Sequence, residues 1–307
     1  MILPDWVLVT TGAALFQVWR TALQARLRGV LPAGAAGFVR YIYALPIDGL
    51  LLVGALLLLG QHLPAIHLEF LTLCLIGGVG QIFGTVLLIR AFAYRSFVVG
   101  TAYAKTEAAQ LVVISVLFQG AHLAPVAIAG IFLALAGVMA LSLAGQVKSL
   151  AGLARASVQP AALCGLGAGT AFAITAVSLR AASLTLPRGV PIMLQAVLLL
   201  TMTNLLQTLI QGGYMAWRTP ADLRASLRLW RLGAPIGVLS ALGSALWFAG
   251  FALTNVALVR GFGQIEILFT LAVGHFFLRE RTKRGEVAGL IMVSIGVVLI
   301  ALGGAFV

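Results

Sequence analysis

Charge is scarce in this chain of 307 residues: Lys, Arg, Asp and Glu make up 9% of it, against roughly 25% in an ordinary soluble domain. That excludes a water-soluble globular fold. Acid is scarcer still, with 8 Asp and Glu against 20 Lys and Arg, a net charge of +12. No long basic run or basic patch interleaved with aromatics is present, so nucleic acid is excluded as a partner. Only two cysteines occur, Cys74 and Cys164, both inside apolar stretches where a thiol acts as a small filler, which excludes a disulfide framework. His62, His67 and His122 are isolated and lack metal-ligand spacing. There is no GxxxxGK[ST] segment to cradle phosphates, so an ATP-driven pump is excluded, and no cofactor is called for. The opening MILPDWVLVTTGAALF has no basic residue before its apolar run and no small-residue cleavage pattern, so its first helix is expected to be retained.

What is present is hydrophobic surface, 61% of residues, with a mean hydropathy of +1.09. At about 20 apolar residues per crossing, the runs between polar or Gly/Pro breaks predict helices at 6–24, 34–58, 70–90, 97–118, 124–145, 160–181, 190–213, 232–253, 258–278 and 285–304. The most polar intervals are 146–159 and 217–231. The first divides the chain into a five-helix segment 1–145, a polar linker 146–159 and a second five-helix segment 160–307. The expected fold is an all-α polytopic membrane protein of ten transmembrane helices.

Shifting the chain by 159 positions aligns 71–143 with 230–302 without a gap. Gly78 falls on Gly237, Gly84 on Gly243, Gly130 on Gly289 and Gly137 on Gly296, while Phe92 meets Phe251 and Phe118 meets Phe277. Five helices is an odd number, so the second copy enters the bilayer from the opposite side, giving two inverted five-helix repeats with a site near the midplane between them. Counted over alternate segments, fifteen Lys and Arg fall on one side and three, Arg180, Arg188 and Arg260, on the other, with Arg40 and Lys105 inside spans. The positive-inside rule assigns the fifteen to the cytoplasm and both termini to the outside.

The same shift places Glu107 on Glu266. A carboxylate at the bilayer centre costs roughly 2.5–3.5 kcal/mol on insertion scales and marks a functional candidate. If the fourth span is one helix, Tyr103 and Gln110 share the face of Glu107, and Phe262 and Thr270 that of Glu266. Lys105 aligns with Gln264, two positions before each acid and on a different face. It can meet a substrate anion, pair across helices with Asp48, or snorkel to the interface. Arg40, beside Tyr41, Tyr43 and Pro46, is a second early-span cation. Gln81, Gln17, Gln207, Asn204, Asn255 and His275 are expected to form interhelical hydrogen bonds. Trp247 either lines a cavity or packs.

With these residues in view, the chain resembles the drug/metabolite transporter superfamily, in its EamA-type group of ten-helix proteins with two five-helix repeats. The clearest carrier is IEILFTLAVGHFFLRERTKRGEVAGLIMVSIGVVLIAL: Glu266 matches the family's helix Glu and Glu280 its loop Glu, with Arg279 where a loop glycine is usual. The first copy, KTEAAQLVVISVLFQGAHLAPVAIAGIFLALAGV, matches again at Glu107, and Arg40 matches an arginine early in the second helix. The proline that follows the Glu in the family is replaced by Ala108 and Ile267, which removes the usual signal for a helix break there. The resemblance implies a carrier of amino acids, sugars, nucleotide sugars or drugs. Better-known members keep both termini in the cytoplasm, opposite to the charge count here.

The expected function is a secondary transporter of a small metabolite in a bacterial-type inner membrane, an exporter by alternating access, with proton coupling as an option. Its partners are then a small solute, the lipid bilayer and protons, and a monomer suffices. Glu107, Glu266, Lys105, Gln264, Arg40, Tyr103, Gln110, Gln81 and Trp247 are the candidate substrate-binding or ion-coupling residues. The rivals are a membrane-embedded lipid-modifying enzyme, for which only scattered Asp, His and Ser are present, and a structural membrane protein, which leaves matched intramembrane acids unexplained.

Overall fold

The structure, a computed structural model, describes residues 4–27, 30–93, 102–119, 121–143, 158–278 and 284–304. Most of the linker 146–159 lies outside these, as do Glu280 and the cations Arg28, Arg95, Lys148, Arg155, Arg279, Arg281 and Lys283. The described residues form helices and no strand: α1 (Asp5–Ala25), α2 (Ala33–Leu58), α3 (Leu68–Ala93), α4 (Glu107–Gln119), α5 (Pro125–Leu143), α6 (Pro160–Leu184), α7 (Ile192–Arg218), α8 (Pro220–Arg228), α9 (Trp230–Leu253), α10 (Val256–Phe262), α11 (Glu266–Leu278) and α12 (Arg284–Gly304), with a 3-10 turn Gly263–Ile265 between α10 and α11. Among the described residues, seven helices are long and apolar enough to cross a membrane: α2, α3, α5, α6, α7, α9 and the Val287–Gly304 part of α12. Leu50, Leu57, Leu58 and Leu184 on these helices stand exposed, which is stable only if the surrounding solvent is hydrocarbon.

Helix ends follow local chemistry. Proline opens α5, α6 and α8, where its missing N–H costs nothing. At the end of α2, Gly60 takes φ +59°, and the amides of Gly60 and Gln61 return to the carbonyls of Leu57 and Leu56, a Schellman closure. Two expectations are corrected here. The span at 97–118 is split, with α4 starting only at Glu107, and so is 258–278. The interval 217–231 is helical rather than loop: Thr219, at φ −138°, ends α7, and Pro220 starts α8 at once.

The chain forms two compact units, each drawing on both halves of the sequence: Met1–Ala14, Phe83–Ala173 and Thr254–Val307 in one, Leu15–Ile82 and Ile174–Leu253 in the other. In the second unit, α2 packs against α7 and α9. Polar side chains along α7 join its neighbours: Asn204 donates to Asp48 (2.6 Å), Gln207 to Gln81 (2.7 Å) and to the Gly78 carbonyl (3.1 Å), and Gln211 to the Gly34 carbonyl (2.8 Å). Each such bond contributes about 0.6 kcal/mol in a membrane.

In the first unit α5 and α12 run antiparallel in close contact. A Cβ added to Gly130 would lie 2.7 Å from the Gly296 carbonyl oxygen, and one added to Gly296 2.7 Å from that of Gly130. Gly137 and Gly289 face each other in the same way, at 2.7 and 2.8 Å. Backbone meets backbone here, so no side chain can yield. Gly296→Leu is expected to cost about 1–3 kcal/mol, the range for overpacking, read as earlier unfolding in detergent. Gly54→Ala, where an added Cβ meets nothing within 4 Å, should leave stability unchanged or raise it by up to about 1 kcal/mol. Equal effects at the two positions would contradict the close packing.

Candidate functional site

Both aligned acids begin a helix that follows a break. Before Glu107, residues 102–104 are helical and the chain turns at Lys105 and Thr106; the amides of Lys105 and Thr106 reach back three residues, to Ala102 and Tyr103. Thr106 Oγ1 also donates to the Tyr103 carbonyl at 2.6 Å, a second bond to the oxygen that accepts from its own amide. Before Glu266, α10 gives way to the 3-10 turn. The break the missing prolines argued against is therefore present twice, held by i to i−3 bonds and a threonine. A carboxylate in the first turn lies near the positive end of the helix dipole, which offsets part of its desolvation.

Each acid is completed by a cation from the other half of the sequence. Lys105 Nζ lies 2.8 Å from Glu266 Oε2, and Arg260 Nε lies 3.1 Å from Glu107 Oε1. The second contact is an ion pair without the alignment of a hydrogen bond. Side-chain exposures run from 12% for Glu107 to 29% for Lys105, so the four groups are largely withdrawn from solvent, with Lys105 the most open. Lys105, Arg260 and Glu266 all act electrostatically on Glu107, and the four formal charges sum to zero. Removing one member of a buried pair leaves the other uncompensated, which is the costly case.

Polar groups extend the cluster. Gln110 donates to Thr106 Oγ1 (3.1 Å) and accepts from Thr170 of α6 (2.8 Å). Gly169, beside Thr170, allows this approach: a Cβ there would sit 3.0 Å from the Ala104 carbonyl and 3.3 Å from the Glu107 amide. Gln264 is 2% exposed, and neither its amide nitrogen nor its oxygen has a hydrogen-bond partner among the described residues. Ser115 donates to Asn255 (3.1 Å), whose side chain also caps α10 at the Ala257 amide.

Several expectations change. Tyr103 does not share a continuous helix with Glu107, because the turn intervenes; it packs with Ala161 and Ala162. Phe262 is separated from Glu266 by the 3-10 turn and stacks edge-on against Trp6. Lys105 takes Glu266, while Asp48 takes Asn204. Arg180 and Arg260, counted to the opposing side, lie within α6 and α10; Arg180 donates to the Phe251 and Ala252 carbonyls. Arg40, Gln81 and Trp247 belong to the second compact unit. There Arg40 is 3.5 Å from Ser244 Oγ, Gln81 accepts from Gln207, and Trp247 donates to Gln17 (3.0 Å). The described residues hold no cluster of His, Cys, Asp or Glu fit for a metal, and both cysteines are free.

The sequence carried no signal for Thr170, showed Arg260 only as one of three cations on the opposing side, and offered Asp48 only as a partner for Lys105. Asp48 is fully buried, with Oδ1 unpartnered among the described residues. Its setting in DGLLLVGALLLL marked it as intramembrane.

Comparison with known proteins agrees with this picture. A crystal structure of a protein 16% identical superposes with a TM-score of 0.68, over 98% of this chain and 99% of that one, a likeness of fold. No curated protein matches the chain. Residues 159–302 match the EamA-like transporter family. With seven apolar helices among its described residues, the chain is thus a multi-pass membrane protein that over residues 159–302 is similar to the EamA-like transporter family, of the drug/metabolite transporter kind.

Proposed function

We propose that the chain is a secondary active transporter that exports a small polar or amphipathic metabolite, amino acid-like in size, across a bacterial-type inner membrane. Ten crossings arranged as two inverted five-helix repeats move it by alternating access. The observation that carries this reading is the reciprocal charge pairing at the two broken helices. A static scaffold gains little from four buried charges, since well-packed apolar groups do the same at equal or lower cost. A carrier needs groups that exchange partners. A proton on Glu266, or a cationic substrate group beside it, releases Lys105, and a substrate anion then takes the lysine. Gln264 adds a buried amide with open hydrogen-bonding capacity.

The inverted repeat is supported by how the copies meet. The shift of 159 maps Gly130 to Gly289 and Gly137 to Gly296, whereas the contacts run Gly130 to Gly296 and Gly137 to Gly289. Such exchanged, antiparallel contacts arise from a two-fold axis perpendicular to the helices, lying in the membrane plane. With Arg180 and Arg260 inside helices, only Arg188 of the three opposing cations remains in a connection, while Arg20, Arg90, Arg218, Arg224, Arg228, Arg231 and Arg284 on the other side are helical as well, so the bias keeps its direction.

Three outcomes are expected. In proteoliposomes, with radiolabelled amino acids and other small metabolites first selected by thermal stabilisation, Glu107→Gln with Glu266→Gln should reduce uptake by tenfold or more and flatten its pH dependence. Unchanged uptake with unchanged pH dependence would sink the proposal. A double-mutant cycle of Lys105→Met and Glu266→Gln should give a coupling of about 0.5–3 kcal/mol; strict additivity would mean the pair contributes nothing. A C-terminal alkaline phosphatase fusion should be active and a C-terminal fluorescent-protein fusion dark, and the reverse pattern would place the termini in the cytoplasm.

A further inference from the structure

The most cationic stretch of the second compact unit is built as a site. α8 packs Leu223 and Ala225, with Leu229 just beyond, onto a buried cluster of Leu27, Leu31, Phe38, Val39, Met215 and Ile236. Its C-terminal end is held by the Tyr43 hydroxyl, which donates to the carbonyls of Ser226 (3.1 Å) and Leu227 (2.9 Å), oxygens that a helix end leaves open. Tyr43 reaches them because Gly233 and Gly237 of α9 leave room for its ring and backbone. α8 is therefore docked along its length.

Docking fixes Arg224 and Arg228 one helical turn apart, both exposed, and neither has a hydrogen bond or ion pair among the described residues. Like charges at this spacing repel. They border a recess of about 400 Å³ whose other walls, Val30, Leu31, Ala221, Ala225 and Leu229, are apolar, with no acidic side chain. The depth of the recess is marked by exposed Trp217 and Trp230 at the ends of the flanking helices, with Arg218 and Arg231 over their rings at 4.1 and 5.5 Å. Such tryptophans sit at the level of lipid headgroups.

Two uncompensated guanidiniums over an apolar recess at headgroup depth match one ligand chemistry, a phosphodiester joined to hydrocarbon. Arginine binds phosphate oxygens in bidentate fashion, and the absence of an acid in the lining disfavours a headgroup that carries its own cation. The geometry points to a binding site for an anionic phospholipid, its phosphate on Arg224 and Arg228 and its glycerol and upper acyl carbons against Val30, Leu31 and Leu229. The site rests on the chain's being a membrane protein and not on what it transports.

The test uses the full-length protein in neutral detergent, titrated with phosphatidylglycerol, phosphatidylcholine or inorganic phosphate and followed by thermal unfolding and native mass spectrometry. Phosphatidylglycerol should stabilise at about thirtyfold lower concentration than phosphatidylcholine, the effect of two arginines near an anionic group. Arg224→Gln with Arg228→Gln should abolish that preference, as should Ala221→Trp, which fills the recess from an exposed position and keeps both arginines. Arg231→Gln should retain it. Should the double variant fail to fold, Ala221→Trp decides alone. Equal stabilisation by the two lipids, a shift reproduced by inorganic phosphate at the same concentration, retention of the preference in Ala221→Trp, or its loss in Arg231→Gln would each overturn the assignment.

Discussion

A charge within hydrocarbon has to be neutralised inside the protein, because no water is there to do it. In the first compact unit this constraint decides where helices break. Glu107 and Glu266 sit at the first helical position after a turn, near the positive end of the helix dipole, and each is paired with a cation from another helix. Moved one turn into a continuous helix, either acid would lose its place at the dipole's positive end and depend on the ion pair alone. At the first break the Thr106 hydroxyl reinforces the turn by a second bond to the Tyr103 carbonyl. Buried α10 brings Arg260 to Glu107 and is itself capped by Asn255.

Close helix packing is the condition for such short reach. Arg260 reaches Glu107 only because α10 lies against α4, α5 and α12, and α5 and α12 approach through glycines until their backbones touch. Gly261, next to Arg260, meets Ile131 of α5 and Ile300 of α12 on that same surface. The glycine contact and the charge pairing therefore belong to one packing arrangement. Larger residues in the seam would separate the helices and lengthen the ion pairs together.

Apolar runs made most helices legible from the sequence, because a crossing leaves a signal about 20 residues long that tertiary contacts do not mask. α2 and α9 end within two residues of where the runs end. The two breaks were not legible, since the turns use Lys105–Thr106 and Gly263–Ile265 in place of a proline. Nor was α8: nine residues between two long helices are too few for a periodicity to stand out from a polar loop. Arg260 was misread because a lone cation near the start of an apolar run has the pattern of a loop residue, and its partner is 153 positions away. Gln81 and Trp247, singled out by residue type, have their bonds to Gln207 and Gln17, partners that no local window reveals.

The two positions where the aligned copies differ in charge near the acids follow from electroneutrality. The first copy has Thr101 and Lys105 where the second has Arg260 and Gln264. Each copy thus contributes one cation and one acid, and the cluster holds two charges of each sign. A lysine at 264 would add a third cation beside Arg260 with no acid to meet it, at the cost of an unpaired buried charge. A neutral amide avoids that cost but inherits a buried position, 2% exposed, without a partner among the described residues. Unmet hydrogen-bonding capacity of that kind is unfavourable in a closed protein and is relieved by a polar group arriving from outside. The same balance of charge therefore leaves the second copy, at Gln264, with a buried amide whose hydrogen-bonding capacity no described residue meets.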